Sequence, residues 1–145
     1  MRRPTYCALV ITVLGLVWAS HPAPAFAQNQ MSNLKCDNAV DPRGVKTEHP
    51  QFSWTWGPPT TPRAYQILVA SSEEKLKANV GDLWDSGQVR TDQKSAVYQG
   101  KPLSSLQHCY WKLRVWSDYD SPTLWTEIQS WQMALLTFSE PEAAK

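Results

Sequence analysis

The residues able to do chemistry are few and scattered. Six glutamates, Glu48, Glu73, Glu74, Glu127, Glu140 and Glu142, are the candidates for acid–base work. Glu73 and Glu74 fall in the first turn of a short helix, where the helix dipole favours a carboxylate without any catalytic reason. Glu140 and Glu142 lie near the C-terminus, Glu48 and Glu127 near strand starts, and a solvated carboxylate is the default state for each. Asp82 and Asp85 flank Leu83-Trp84; they either pair across a sheet edge or keep that edge from joining another chain. Ser86-Gly87 follows, but without a Gly-x-Ser-x-Gly elbow or a histidine at a known spacing. His21, His49 and His108 form no His-x-x-x-His pair, and no Cys-x-x-Cys is present, so no metal site is expected. The six glycines mark turns and build no phosphate-cradling loop, so no cofactor is expected. The aromatic load is the unusual feature: seven of the eight tryptophans follow residue 27. They read first as core. The alternative is a sugar-stacking or domain-contacting face, for which Trp84, Trp116 and Trp125 are the candidates.

Residues 1–27 have the three parts of a secretory signal. Arg2 and Arg3 form the basic start, residues 8–20 the apolar run, and Ala25-Phe26-Ala27 the small-x-small cleavage site. The run is short for a stable membrane span; an uncleaved anchor is the alternative. The expected location is secreted or periplasmic. After cleavage, residues 28–145 keep twelve of the fourteen basic residues and all thirteen acidic ones, one net negative charge. That balance supports neither nucleic-acid binding nor an electrostatic membrane contact. Cys7 leaves with the signal, and Cys36 and Cys109 remain. An oxidising compartment allows a disulfide between them. It would close a loop of 72 intervening residues, a constraint of about 4 kcal/mol in the chain-entropy model. Two separate buried thiols are the alternative.

The elements that must position these residues read as short strands. Residues 28–32 form a loose leader and 33–38 a first strand, with Leu34 and Cys36 on one face; Asp41-Pro42-Arg43-Gly44 is a turn. Residues 50–56 alternate cleanly, Phe52, Trp54 and Trp56 against Ser53 and Thr55. Residues 64–89 are the distinctive stretch. A strand carrying Tyr65, Ile67 and Val69 leads into a helical turn capped by Ser71 with Glu74 in capping-box position. Leu76 is its apolar contact and Gly81 its end, and residues 83–86 return as an edge strand. Residues 88–90 continue briefly, and 95–99 form another strand. Residues 108–117 form the longest strand, with Trp111, Leu113 and Val115 facing one way and Lys112, Arg114 and Trp116 the other. The polar partners predict that the second face meets solvent, with Trp116 exposed or laid between the Lys112 and Arg114 stems by cation–π packing. Residues 118–126 form a turn-rich loop, 127–135 a final strand and 137–145 a flexible tail. The result is an all-β, immunoglobulin-like or fibronectin type III-like β-sandwich of about seven strands with one short helix inserted, spanning residues 33–136.

Six stretches in order carry a family resemblance: Asn33-Leu34-Lys35-Cys36, Pro50-Gln51-Phe52-Ser53-Trp54, Tyr65-Gln66-Ile67-Leu68-Val69-Ala70-Ser71-Ser72, Leu83-Trp84-Asp85-Ser86-Gly87-Gln88-Val89, Gly100-Lys101-Pro102-Leu103 and Tyr110-Trp111-Lys112-Leu113-Arg114-Val115-Trp116. Together they resemble the N-terminal fibronectin type III-like domain of bacterial α-L-rhamnosidases, glycoside hydrolase family 78. The resemblance implies a large multidomain parent that cleaves terminal α-L-rhamnose with inversion, using a general acid and a general base on a separate (α/α)₆ barrel. It carries no catalytic residue onto this sequence. It implies an accessory sandwich that packs against neighbouring domains of a rhamnosidase. Cys109 stands where the family tends to have Tyr, which puts a tyrosine-corner hydrogen bond in doubt. Ser121-Pro122-Thr123 replaces a Gly-containing turn. The chain ends where a linker to the next domain is expected, as in a gene fragment or a stand-alone module. The expected function is a non-catalytic accessory module, inactive by itself. The alternatives are a secreted carbohydrate-binding module, or an adaptor that docks a separately encoded catalytic chain.

Overall fold

The computed structural model describes residues 31–57, 61–117 and 121–136. The signal reading over 1–27 and the tail over 137–145 lie outside the described residues.

The longest alternating run builds the centre of the molecule. β8 (His108–Trp116) pairs antiparallel along the whole of β4 (Ala64–Ala70), in the register Leu68↔Lys112 and Ile67↔Leu113. The larger sheet runs β2 (Arg43–Val45), β9 (Gln129–Met133), β8, β4, β5 (Trp84–Asp85), and β6 (Val89–Arg90) also pairs with β4. The smaller sheet is β1 (Met31–Cys36), β3 (Gln51–Trp56), β7 (Ser95–Val97). Period-two alternation sends one set of side chains from each sheet into the space between them. Phe52 is the hub of that core. Its ring lies 4.6 Å from Trp111, 5.5 Å from Trp131 and 6.2 Å from Trp84. Ile67, Val69, Leu113 and Val115 fill in around it, all fully buried.

Several boundaries differ from the sequence reading. Met31 and Ser32, expected in a loose leader, begin β1 opposite Trp56 and Thr55, and Met31 is buried. β2, expected only as a turn, pairs parallel with β9, with Arg43 opposite Gln132 and Val45 opposite Met133. Its three residues carry no alternation; the neighbouring strand and the positive φ of Gly44 (+82°) make it. The helix α1 (Glu73–Lys77) is capped by Ser72, whose Oγ accepts from Lys75 N at 3.4 Å, and not by Ser71. It ends before Gly81. Asn79 takes the left-handed conformation (φ 59°), its N–H donates to Leu76 O at 2.9 Å, and Val80 N–H donates to Lys75 O at 2.8 Å. This is a Schellman motif with asparagine in the usual glycine position. Gly81 is needed for close approach instead: a Cβ there would sit 2.4 Å from Trp84 O and 3.1 Å from Leu68 Cδ2.

Candidate functional site: the outer face and the exit loop

The Lys112, Arg114 and Trp116 face of β8 is the one whose polar residues predict contact with solvent. It is covered. Lys112 is 5% exposed and Trp116 7%. Leu68 and Ala70 share this face, and α1 lays Leu76 over them; Tyr110, Trp125 and Ile128 complete a second small apolar cluster. The stretch expected as a turn-rich loop runs beside the second half of β8. Thr126 N donates to Leu113 O and Thr123 N to Val115 O, both at 2.8 Å. The Thr126 and Thr123 hydroxyls accept from Leu113 N and Val115 N at 3.0 and 3.2 Å. Two threonine hydroxyls thus satisfy buried strand amides where β9 no longer reaches.

Lys112 reaches through this cover and donates to Leu76 O and Asn79 Oδ1, each at 2.5 Å. A cation at a helix C-terminus meets the negative end of the backbone dipoles. Burial lowers the Lys112 pKa, and the charge of Arg114 lowers it further. Arg114 Nε and Nη2 donate to Gln66 Oε1 at 3.0 and 2.8 Å, and Gln66 Nε2 donates to Asp85 Oδ1 at 2.7 Å. Cation–π packing is present, but its centre is Trp125. Lys112 Nζ lies 4.8 Å and Arg114 Cζ 4.5 Å from the Trp125 ring centroid, and Arg114 Cζ lies 5.0 Å from that of Trp116. Of the two readings of Trp116, exposed or packed by a cation of its strand, the structure has the second, with Arg114 as the cation: the helix and residues 121–128 close over a face that alternation alone leaves open. Of the three candidate platform residues, the structure gathers Trp116 and Trp125 around Arg114. It sets Trp84 on the other side of the sheet, stacked on Phe52 (19° between planes) and edge-on to Tyr98 at 5.5 Å.

Asp82, Asp85 and Glu73 are tied to structural partners. Asp82 accepts from Ser71 N at 2.9 Å, from Ser71 Oγ at 2.7 Å and from Lys75 Nζ at 2.7 Å. Its partial burial raises the pKa, but those three hydrogen bonds and the Lys75 charge outweigh that and bring it down to about 2. Asp85 Oδ1 also accepts from Gly87 N at 2.8 Å. Glu73 pairs with Lys77 at 2.9 Å one helical turn on. Three shallow cavities, of 370, 340 and 240 Å³, hold at most one carboxylate each: Asp92 beside Arg63 and Arg90, none around Trp54, and Asp41 beside His108. Among the described residues no three of His, Cys, Asp and Glu gather where they could hold a metal ion.

Cys36 and Cys109 are both buried and stand as separate thiols. Burial pushes both up to about 12. Their cross-strand neighbours, Phe52 and Trp131, meet edge to face between the two sheets. No tyrosine stands at position 109, but Tyr98 supplies a buried hydroxyl to a backbone carbonyl, that of Lys101, at 2.7 Å.

Sequence reasoning missed one further feature. Leu106 has a φ of 60° and is 56% exposed, and Leu135 beside it is 66% exposed. The two sit where the described chain leaves the sandwich. A side chain at positive φ is signalled in sequence by Gly, Asn or Asp, and Ser104-Ser105-Leu106-Gln107 contains none of these.

Two facing sheets with an inserted half-helix, closed on both faces of the larger sheet, define an immunoglobulin-like module. The chain belongs to the family described as Rha78A-like, N-terminal immunoglobulin domain, which matches residues 31–137. It is 38% identical over 109 residues to an α-L-rhamnosidase of Formosa agariphila, covering 72% of this chain and 11% of that enzyme. The structure of an α-L-rhamnosidase from Dictyoglumus thermophilum superposes with a TM-score of 0.70 at 31% identity, over 74% of this chain and 12% of that one. Streptomyces avermitilis α-L-rhamnosidase, complexed with L-rhamnose, superposes with a TM-score of 0.64 at 31% identity, over 72% and 10%. The chain thus spans about a tenth of the length of the relatives it matches.

Proposed function

We propose that this chain is a non-catalytic accessory module of an α-L-rhamnosidase-type glycoside hydrolase, one that docks on neighbouring domains and leaves hydrolysis to a catalytic barrel outside the present sequence. The observation that carries this reading is the unequal coverage. The match takes in most of this chain, while about nine-tenths of the Formosa agariphila enzyme lies outside it. The distribution of acids supports the same reading. Inversion at an anomeric centre needs two carboxyl groups roughly 6.5–9.5 Å apart across a water-admitting cleft, and among the described residues the cavities beside Asp92, Asp41 and Trp54 each offer one carboxylate or none. The signal-like residues 1–27 support export to the periplasm or medium. Incubating the purified chain with an aryl α-L-rhamnoside tests the assignment: no release of the aryl alcohol above the buffer blank is expected. Turnover that co-purifies with the chain through successive columns would overturn it.

A further inference from the structure

The geometry points to the surface formed by Leu106 and Leu135 as the docking face for the domain that follows this module in rhamnosidase-type chains. The inference rests on the accessory-module reading above and names where the contact is made. Among the described residues six non-glycine positions have positive φ, and five of them are Asn or Asp. Those types tolerate the left-handed region; a bulky aliphatic side chain there is an outlier. Leu106 is the sixth, held at φ 60° with over half its surface in water. Backbone strain persists only where the surroundings over-determine it, and such positions cluster at contact and functional sites. Here the surroundings are explicit. Leu106 N donates to Ala134 O at 3.1 Å, and Gln132 Nε2 donates to Leu106 O at 3.4 Å. Ser104 N donates to Gln107 Oε1 at 2.7 Å, and Leu136 N donates to Ser105 Oγ at 2.9 Å. The same bonds that force Leu106 outward fix the exit segment, so Leu135 lies alongside while Leu136 packs back on the core. Val40, Val80, Val97 and Leu124 are also exposed, but they stand singly on separate elements, as surface apolar residues ordinarily do.

The size of the patch selects its occupant. Two half-exposed leucines offer on the order of 200 Å², against roughly 800 Å² per partner for a stable interface between free molecules. A second copy or a separate protein is therefore poorly served. A domain joined through the next few residues is held at millimolar effective concentration, and a small apolar contact then suffices. The family match ends at residue 137, immediately after the patch, so the following domain of a relative begins within reach of it.

The test replaces the N-terminal immunoglobulin domain of Streptomyces avermitilis α-L-rhamnosidase with residues 31–137 of this chain, as found or carrying Leu106→Gly and Leu135→Ser. The unmodified graft should hydrolyse an aryl α-L-rhamnoside and melt in one transition. The double variant should melt in two and be cut at the junction by trypsin about tenfold faster, as expected when cleavage follows the undocked population. In the 145-residue chain, Leu106→Gly should leave the melting temperature unchanged or raise it, because glycine relieves the left-handed backbone. An identical melt and cleavage rate for the two grafts would overturn the docking face and leave the accessory reading standing. An unmodified graft that melts in two transitions would overturn both. A dimer of the isolated chain in sedimentation, dissociated by Leu135→Ser, would assign the patch to a second copy and overturn the proposal.

Discussion

Asp82 should stabilise the module only in its charged form, and the amount follows from its surroundings. It receives two hydrogen bonds from Ser71, the residue just before the N-cap of α1, and a third from Lys75 inside the helix. One carboxylate therefore clamps the start of the helix to the return toward β5. Its pKa falls from an ordinary 3.8 to about 2, which converts, at about 1.4 kcal/mol per pKa unit, to roughly 2 kcal/mol. The Lys75 side chain is 47% exposed, so solvent screening reduces the usable part to about 1–2 kcal/mol. The sign is that of a depressed acid. The stabilisation is complete above 3.8, the unfolded value, and is lost as the pH falls through about 2, the folded value. Asp82→Asn approximates the protonated side chain. Urea unfolding at pH 6 should show it less stable by about 1–2 kcal/mol, a midpoint shift of about 1 M for a chain of this size. The difference should shrink to about half near pH 3 and to a small remainder at pH 2, where the parent carboxylate in the fold is about half protonated. A penalty that stays constant from pH 6 to pH 2 would refute the clamp, since it would then come from shape and not from charge.

Other substitutions probe the two apolar layers. Trp111→Ala empties the centre of the inner core, where the indole is 1% exposed and 4.6 Å from Phe52. It should cost about 3–5 kcal/mol in urea unfolding, and a loss under about 1 kcal/mol would sink the assignment of that face as core. Lys112→Ala removes a stem packed under α1 together with two charge-assisted hydrogen bonds, and should cost about 2–4 kcal/mol. Lys112→Met keeps the stem and spares the desolvation of a buried ammonium. Leu76 O retains its bond from Asn79 N, so this variant should lose only about 1 kcal/mol. Equal losses for the two, measured by thermal unfolding, would show that the stem contributes nothing.

Most of the inner core was legible because period two is a strong signal. Phe52 with Trp54, and Trp111 with Leu113 and Val115, point inward as their alternation predicts. What failed were inferences from polarity and from very short elements. Lys112, Arg114 and Trp116 read as a wet face because two of the three are charged, yet the covering elements come from elsewhere in the chain. A signal was present. Leu68 and Ala70 lie on that same outward face of β4, and Leu76 on a five-residue helix had no other surface to bury against. Three apolar residues without a partner outweigh two long side chains whose stems can be covered while their charged ends find acceptors. The cap slipped by one residue because Ser71 and Ser72 are chemically equal candidates. Tertiary contact decided between them, Asp82 taking Ser71 and leaving Ser72 free to cap. β2 was invisible because its extended shape is imposed by β9, not by its own three residues.

The closure of the outer face bears on what a module like this can do. A sandwich that binds glycan by ring stacking must hold flat aromatic faces open to water. Here the tryptophans nearest that description, Trp116 and Trp125, are engaged by cations of β8. Arg114 is fixed by Gln66, and Gln66 in turn by Asp85, so the guanidinium cannot leave the Trp125 ring without breaking a chain of three hydrogen bonds. Opening that face would also release Lys112 from the end of α1 and expose Leu68 and Leu76. The helix insertion, which looks like decoration on the β pattern, is therefore the lid of a second core that, among the described residues, covers Leu68, Ala70 and Lys112 on the outward face of the larger sheet. Exposed apolar surface that is also rigidly fixed lies instead at Leu106 and Leu135, where the chain departs. Positions at an exit are suited to contact with whatever the chain becomes next, because orientation there is set by the same bonds that end the fold.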